Sequence, residues 1–297
     1  MKTTSDNPVA LDWHLGDIER KWGFQGSKYT DVSLGFAFLL TVVLAGVLFG
    51  VVHLLPVRLQ QSHAVALVIA RGWTPYAMVV LSCLALCILF VKSRKLSFQK
   101  RAFAVKLIPD GASFVLTPET ALEALKRLNA SVDEPARFVL FNRIERALLN
   151  LKNVGNLSDV SEMLRSQAEN DESHFESSYG ILHGIIWAIP ILGFIGTVIG
   201  LSGAIGNFGL VLNNDGANIS SLKDGLGVVT GNLGVAFDTT FLALILAMVI
   251  QFAMTLLKKQ EELFLDECRD YAHVNIISRL RIARAQGFGE PLQGIPL

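Results

Sequence analysis

The feature that most constrains this chain is a charge-free stretch from Gly184 to Phe208. Its length of about 25 residues exceeds the roughly 20 apolar residues with which an α-helix crosses a bilayer. Gly193, Gly196, Gly200 and Gly203 recur at helical spacing and therefore lie along one side of that helix. Because each glycine destabilises a helix interior by roughly 1 kcal/mol, such a stripe indicates close approach by another helix.

Two other residues of this stretch carry information. Pro190 removes one backbone donor and can bend the helix. Thr197 supplies a hydroxyl in the middle of the stretch, beside the glycine stripe. Such a threonine either bonds back to its own helix in a tightly packed bundle or lines a polar path.

Composition extends the membrane prediction to the whole chain. The 297 residues are 51% hydrophobic with a mean hydropathy of +0.45, which is too apolar for a soluble protein of this size. The zero net charge gives no signal for polyanion binding. Cys83, Cys87 and Cys268 form neither a metal nor a disulfide pattern. No cleavable signal peptide is expected in the first 30 residues, because they are polar and lack a basic region followed by an apolar one.

The chain is predicted to be an all-α integral membrane protein with four transmembrane helices. The predicted spans cover residues 33–55, 73–91, the stretch from 184, and 226–257. Asp238 is the one charged residue of the fourth span. The organisation follows from these spans: an N-terminal segment 1–32, two helices in 33–91, a helical region 92–180, a helix pair in 181–257 and a helix with a tail in 258–297.

The regions outside the spans also show helical patterns. Leu11, Leu15, Ile18 and Trp22 form one apolar face, typical of an interfacial helix, although a solvated arm is the alternative. Thr117-Pro118 predicts a helix start, and the spacing of Phe138, Phe141, Ile144, Leu148 and Leu151 predicts a buried face. A single long helix is predicted over 158–209, and the fourth helix is predicted to continue beyond 258.

Lys and Arg are distributed unevenly about the spans. Residues 1–32, 92–180 and 258–297 hold 23 of the 26, and the two remaining loops hold 3. The positive-inside rule therefore predicts that both termini and the 92–180 region are cytoplasmic.

The fourth span contains a stripe of small and polar residues on one face: Ala236, Thr240, Ala243, Ala247 and Gln251. Thr239 points about 100° away from that stripe. Asp238 points neither along the stripe nor in the direction of Thr239. Thr197 and Thr240 are predicted to lie at matching depth, where they could line one polar path. Asp238 is either a functional ionisable group or a carboxylate bonded to the third helix or a neighbouring subunit.

Two segments resemble the MotA/TolQ/ExbB proton channel family. Residues 190–200, PILGFIGTVIG, are similar to the family's proline-led GxxGTVxG helix, and residues 236–240, AFDTT, with Ala243 and Leu244, are similar to its last-helix segment. The close match covers residues 184–257, and the long flanking helices agree in layout. The extra N-terminal spans resemble MotA, whereas the core resembles TolQ and ExbB.

The resemblance implies a subunit of an ion-driven motor in the bacterial inner membrane. Five copies would surround two helices of a single-span partner of the MotB/TolR/ExbD type, whose membrane aspartate carries the proton. The family's pore threonines would fall on Thr197 and Thr240, its proline on Pro190, and residues 181–257 would form the pore. No cofactor is implied, and the adjacent Thr239 leaves sodium open as the transported ion.

Other functional classes have less support. A self-contained, ion-coupled transporter using Asp238 would need more intramembrane polar groups than the spans contain, and no broken-helix repeat is evident. An enzyme is not expected, because GLGVVTG at residues 225–231 has the spacing GxGxxxG and opens a membrane helix rather than following a strand. A structural scaffold is a third alternative.

Overall fold

The computed structural model describes residues 11–54, 65, 72–105, 116–151, 157–212 and 219–280. These residues are helical apart from turns and isolated bridges, which confirms the all-α prediction. The helices are α1 (Trp13–Gly16), α2 (Ile18–Lys21), α3 (Leu34–Leu54), α4 (Trp73–Gln99), α5 (Pro118–Ser131), α6 (Val139–Asn150), α7 (Leu157–Ser177), α8 (Gly180–Leu212) and α9 (Ile219–Asn275). Turns of 3₁₀ helix cover Lys100–Ala104, Pro135–Arg137 and Ile277–Arg279.

Four of the described helices, α3, α4, α8 and α9, are long and apolar enough to cross a membrane, as predicted. Large apolar side chains such as Phe38, Phe194 and Phe252 are more than 60% exposed, an arrangement that suits lipid rather than water. The 57 residues of α9 correspond to a helix about 85 Å long, well beyond the bilayer thickness. The protein is therefore a multi-pass membrane protein.

The described residues divide into two compact units. The larger comprises residues 13–101 and 171–265, and in it α4 packs against both α3 and α8. The smaller comprises the described parts of 1–12, 102–170 and 266–297. Each unit is built from segments far apart in sequence.

The N-terminal segment differs from the predicted amphipathic helix. The helix is interrupted at Asp17, which caps α2 by accepting a hydrogen bond from the Glu19 backbone N–H at 3.2 Å. Asp17 and Glu19 are buried, whereas Trp22, predicted on the apolar face, is 70% exposed. The segment is therefore not one continuous helix with its charges in water, because Lys95 of α4 holds both carboxylates inside the larger unit, its Nζ lying 2.7 Å from Glu19 and 3.8 Å from Asp17.

The smaller unit follows its sequence signals closely. Thr117 caps α5 in a capping box with Thr120, and Pro118 occupies the first helical position, as predicted. The predicted face of α6 is buried, with Phe138 and Phe141 fully enclosed and in ring contact. Two parallel bridges, Leu11 to Val132 and Leu116 to Leu280, join its separate segments.

The predicted single helix over 158–209 is divided by a turn at Ser178 and Tyr179. The Tyr179 N–H bonds to the Glu176 carbonyl, a tighter turn than the α-helix, and the Ser178 hydroxyl donates to the Phe175 carbonyl at 2.6 Å. The Tyr179 side chain is buried, and its hydroxyl donates to Glu261 of α9 at 2.6 Å. The turn thus coincides with a contact to α9, which is distant in sequence and which helical periodicity does not reveal.

Candidate functional site

The site lies where α8 packs against α9 through the glycine stripe. A Cβ atom placed on Gly193 would lie 2.5 Å from the Ala243 Cβ, and one on Gly200 would lie 2.9 Å from the Asn232 carbonyl oxygen. Real Cβ atoms essentially never approach other atoms this closely, so only glycine allows the two helices their present separation. Rising residue numbers in α8 meet falling numbers in α9, so the two helices run antiparallel.

A third helix joins this packing at Gly196. A Cβ atom there would lie 2.7 Å from Thr239 Oγ1 and 3.1 Å from the hydroxyl of Thr74, at the start of α4. Gly203, in contrast, faces Asn232 at an ordinary 3.5 Å. Thr74 is buried and was not predicted as part of the site, because its span carried no motif.

The structure brings Thr197 and Thr240 together. The two hydroxyls form a short hydrogen bond between α8 and α9, and both side chains are half-buried. Thr197 Oγ1 also lies 3.2 Å from the carbonyl oxygens of both Gly193 and Ala236. Thr240 Oγ1 lies 3.3 Å from the first oxygen and 3.4 Å from the second.

This arrangement of hydroxyls has two equivalent hydrogen-bond patterns. Thr197 can donate to Thr240 while Thr240 donates to a carbonyl, or the two roles can be exchanged. A hydroxyl both donates and accepts, and its hydrogen rotates to suit its partners. The pair can therefore reverse its dipole without any movement of oxygen atoms, a property useful beside a group whose charge changes.

The other two polar residues of the AFDTT segment, Asp238 and Thr239, lie apart from the threonine pair. Thr239 is 1% exposed, and its hydroxyl donates to the carbonyl of Ala236 at 2.9 Å. Asp238 is half-buried and, at about 100° per residue, points roughly 200° round α9 from Thr240. The structure thus places Thr239 inside the bundle and Asp238 on another side of α9.

A groove continues the α8–α9 contact beyond Gly193. It has a volume of about 380 Å³ and is lined by Pro190 and Ala247, together with Trp187, Leu244, Met248 and Gln251 among others. The helix continues through Pro190. Trp187 and Met248 are 73% and 66% exposed, so the groove presents a broad apolar surface.

A buried ionic network in the same unit was missed by sequence reasoning, which used Lys92 only to predict topology. Lys92 Nζ lies 3.5 Å from Glu261 Oε1 and 2.8 Å from the Ser178 hydroxyl, and it lies over the Tyr179 ring. Burial lowers the pKa of Lys92, opposed by the charge of Glu261, and burial together with Glu261 raises the pKa of Tyr179. In the sequence, Lys92 and Glu261 each lie a few residues at most beyond the end of a predicted span, and nothing there indicates that they pair.

Comparison with known proteins bears on this site. Residues 132–269, which include the glycine stripe, both threonines and the groove, match the model of the MotA/TolQ/ExbB proton channel family. No curated protein and no solved structure matches the chain significantly. The matched family is a proton channel family rather than an enzyme family. The resemblance noted in the sequence is therefore confirmed for residues 132–269, which match the model of the MotA/TolQ/ExbB proton channel family.

Proposed function

We propose that this chain is the ion-channel subunit of a motor in the bacterial inner membrane, driven by the proton-motive force. The observation that carries the proposal is the hydrogen-bonded pair Thr197–Thr240, which lies between two membrane helices within the family domain. With a partner of the MotB/TolR/ExbD type, the subunit converts ion flow into mechanical work.

The chain's own contribution to transport is a polar surface that does not ionise. The titrating carboxylate belongs to the partner's membrane helix, and the threonine pair donates to it when it is charged and accepts from it when it is protonated. Reversal of the pair's dipole allows both states without moving either helix. The transported ion is a proton, no cofactor takes part, and sodium is the alternative to be tested.

The apolar surface around the α8–α9 groove supports an assembly of several copies. Five copies enclosing two partner helices would cover surfaces that include Trp187 and Met248. The charge distribution supports an orientation in which both termini and residues 92–180 are cytoplasmic.

The decisive experiment measures proton and sodium flux into vesicles that hold the chain with and without its partner. We expect flux only with the partner, because the ion-carrying carboxylate lies there. In the competing transporter, the carboxylate is Asp238, and the chain alone carries ions. Flux that needs no partner and that Asp238→Asn abolishes would refute the proposed motor function.

A further inference from the structure

The smaller unit contains a second cavity that ion transport does not use. Its volume is about 170 Å³, and its lining comes from α6, α7, the end of α9 and the turn that follows. The residues of the lining that bear charge or can acquire it are Arg143, Arg165, Arg269 and His273. None of the described residues that line it is acidic. The charged side chains of the lining are therefore all basic, and the carboxylates that pair with Arg165 and Arg269 lie outside the lining.

The cavity has a buried floor and an exposed rim. Leu164, Ala168 and Ala272 are each at most 6% exposed and form an apolar floor. Arg143 also lies in the floor and is only 2% exposed. A guanidinium group presents five N–H donors in a planar fork. Arg143 therefore brings a donor-rich charge into a mainly apolar enclosure.

Each of the two rim arginines takes part in an exposed ion pair. Arg165 pairs with Glu169 at 3.1 Å, and Arg269 pairs with Asp266 at 3.3 Å, each within a single helix turn. All four side chains are more than half exposed, and exposed pairs of this kind contribute little to stability. These two carboxylates therefore compete only weakly with a bound anion for the guanidinium groups. Ser161 and His273 add further polar groups at the rim.

We propose that this cavity binds a small phosphate monoester with an apolar or aromatic body. Three guanidinium forks match the several oxygens of a phosphate better than the two of a carboxylate. The apolar floor accommodates the body of the ligand. The volume is close to that of a cavity known to hold benzene, about 150 Å³, so a larger ligand protrudes past the rim. The proposal is independent of the ion-transport function.

The test uses the full chain in phosphatidylcholine nanodiscs, titrated calorimetrically with phenyl phosphate at constant ionic strength. We expect saturable binding to one site per chain. Arg165→Gln with Arg269→Gln should weaken it about tenfold or more, since each removes charged hydrogen bonds to the phosphate. Arg146→Gln is the matched control, because Arg146 is an exposed α6 residue outside the cavity. Arg143→Lys keeps the buried charge and removes the fork, so it should also weaken binding.

A second arm distinguishes the two sources of such a phosphate. In nanodiscs containing phosphatidic acid, unchanged phenyl phosphate affinity supports a soluble ligand. An affinity that phosphatidic acid reduces, and that is restored in phosphatidylcholine nanodiscs, supports a lipid headgroup in the same cavity. Non-saturable heat, or equal affinity in the wild type and the Arg165→Gln/Arg269→Gln variant, would overturn the proposal. Comparable thermal melting of all variants shows that the comparison concerns folded protein.

Discussion

At the scale of single residues, the site depends on the two threonines whose hydroxyls meet between α8 and α9. Thr197 and Thr240 share the carbonyl oxygens of Gly193 and Ala236. The neighbouring Thr239 is enclosed against Gly196 instead. The hydroxyl of Thr240 can therefore hydrogen-bond to a partner, whereas the hydroxyl of the adjacent Thr239 is enclosed within the fold.

Replacing Thr197 or Thr240 by valine should reduce partner-dependent flux while the protein still assembles. Valine keeps the side-chain shape, and the lost hydrogen bond is worth about 0.5–1.5 kcal/mol, which corresponds to roughly a two- to tenfold fall in rate. Thr255→Val is the control, because Thr255 is exposed and bonds only to its own helix at Gln251. Thr239→Val should affect proton flux less than either, and a larger effect under sodium drive would identify sodium as the ion.

Normal flux through both the Thr197→Val and Thr240→Val variants would show that the threonine pair is not part of the ion pathway.

The Lys92–Glu261 pair gives a prediction about stability. Both side chains are at most 2% exposed, so Lys92→Met should destabilise the protein by about 3–5 kcal/mol by leaving a buried carboxylate without its counter-charge. Lys92→Met combined with Glu261→Met should recover much of that loss. Lys258→Met is the control and should cost at most about 1 kcal/mol, because its pair with Glu176 is exposed. Thermal unfolding in detergent measures all three; equal losses for Lys92→Met and Lys258→Met would contradict the prediction.

At the scale of helices, close packing of α8 on α9 requires glycine at specific positions. Gly193, Gly196 and Gly200 each leave no room for a side chain, whereas a Cβ on Gly206 in the same helix would meet nothing within 4 Å. The glycine stripe therefore contacts α9 of its own chain, with Thr74 of α4 beside Gly196. The effect of a bulky residue there begins with the fold of the single chain.

Gly196→Leu should destabilise the chain by several kcal/mol, since overpacking a close helix contact costs about 1–3 kcal/mol and this contact involves two helices. Gly206→Leu should have little effect on the same property. Thermal melting in detergent compares the two, and size-exclusion chromatography shows whether assembly is lost with stability. A stable, fully assembled Gly196→Leu protein would show that α8 and α9 are not packed as described.

At the scale of the whole molecule, the prediction concerns topology. In permeabilised cells a thiol reagent should label Glu123→Cys, an exposed position of α5, whereas intact cells should protect it. Asp215→Cys, which lies outside the described residues, should be labelled in intact cells. The native cysteines Cys83, Cys87 and Cys268 are buried and can remain. Labelling of Glu123→Cys in intact cells would reverse the orientation.

The amino-acid sequence by itself determined the four spans, the glycine stripe, the start of α5 at Thr117 and the family, because hydropathy, helical spacing and capping act over neighbouring residues. The tertiary structure alone decided that Glu19 is buried, that Thr239 and Thr74 meet at Gly196, and that a turn separates α7 from α8 at Tyr179. Each of these depends on a partner distant in sequence, such as Lys95 for Glu19 or Glu261 for Tyr179. A buried charge is stable only beside its partner, and local periodicity contains no information about which distant residue that partner is.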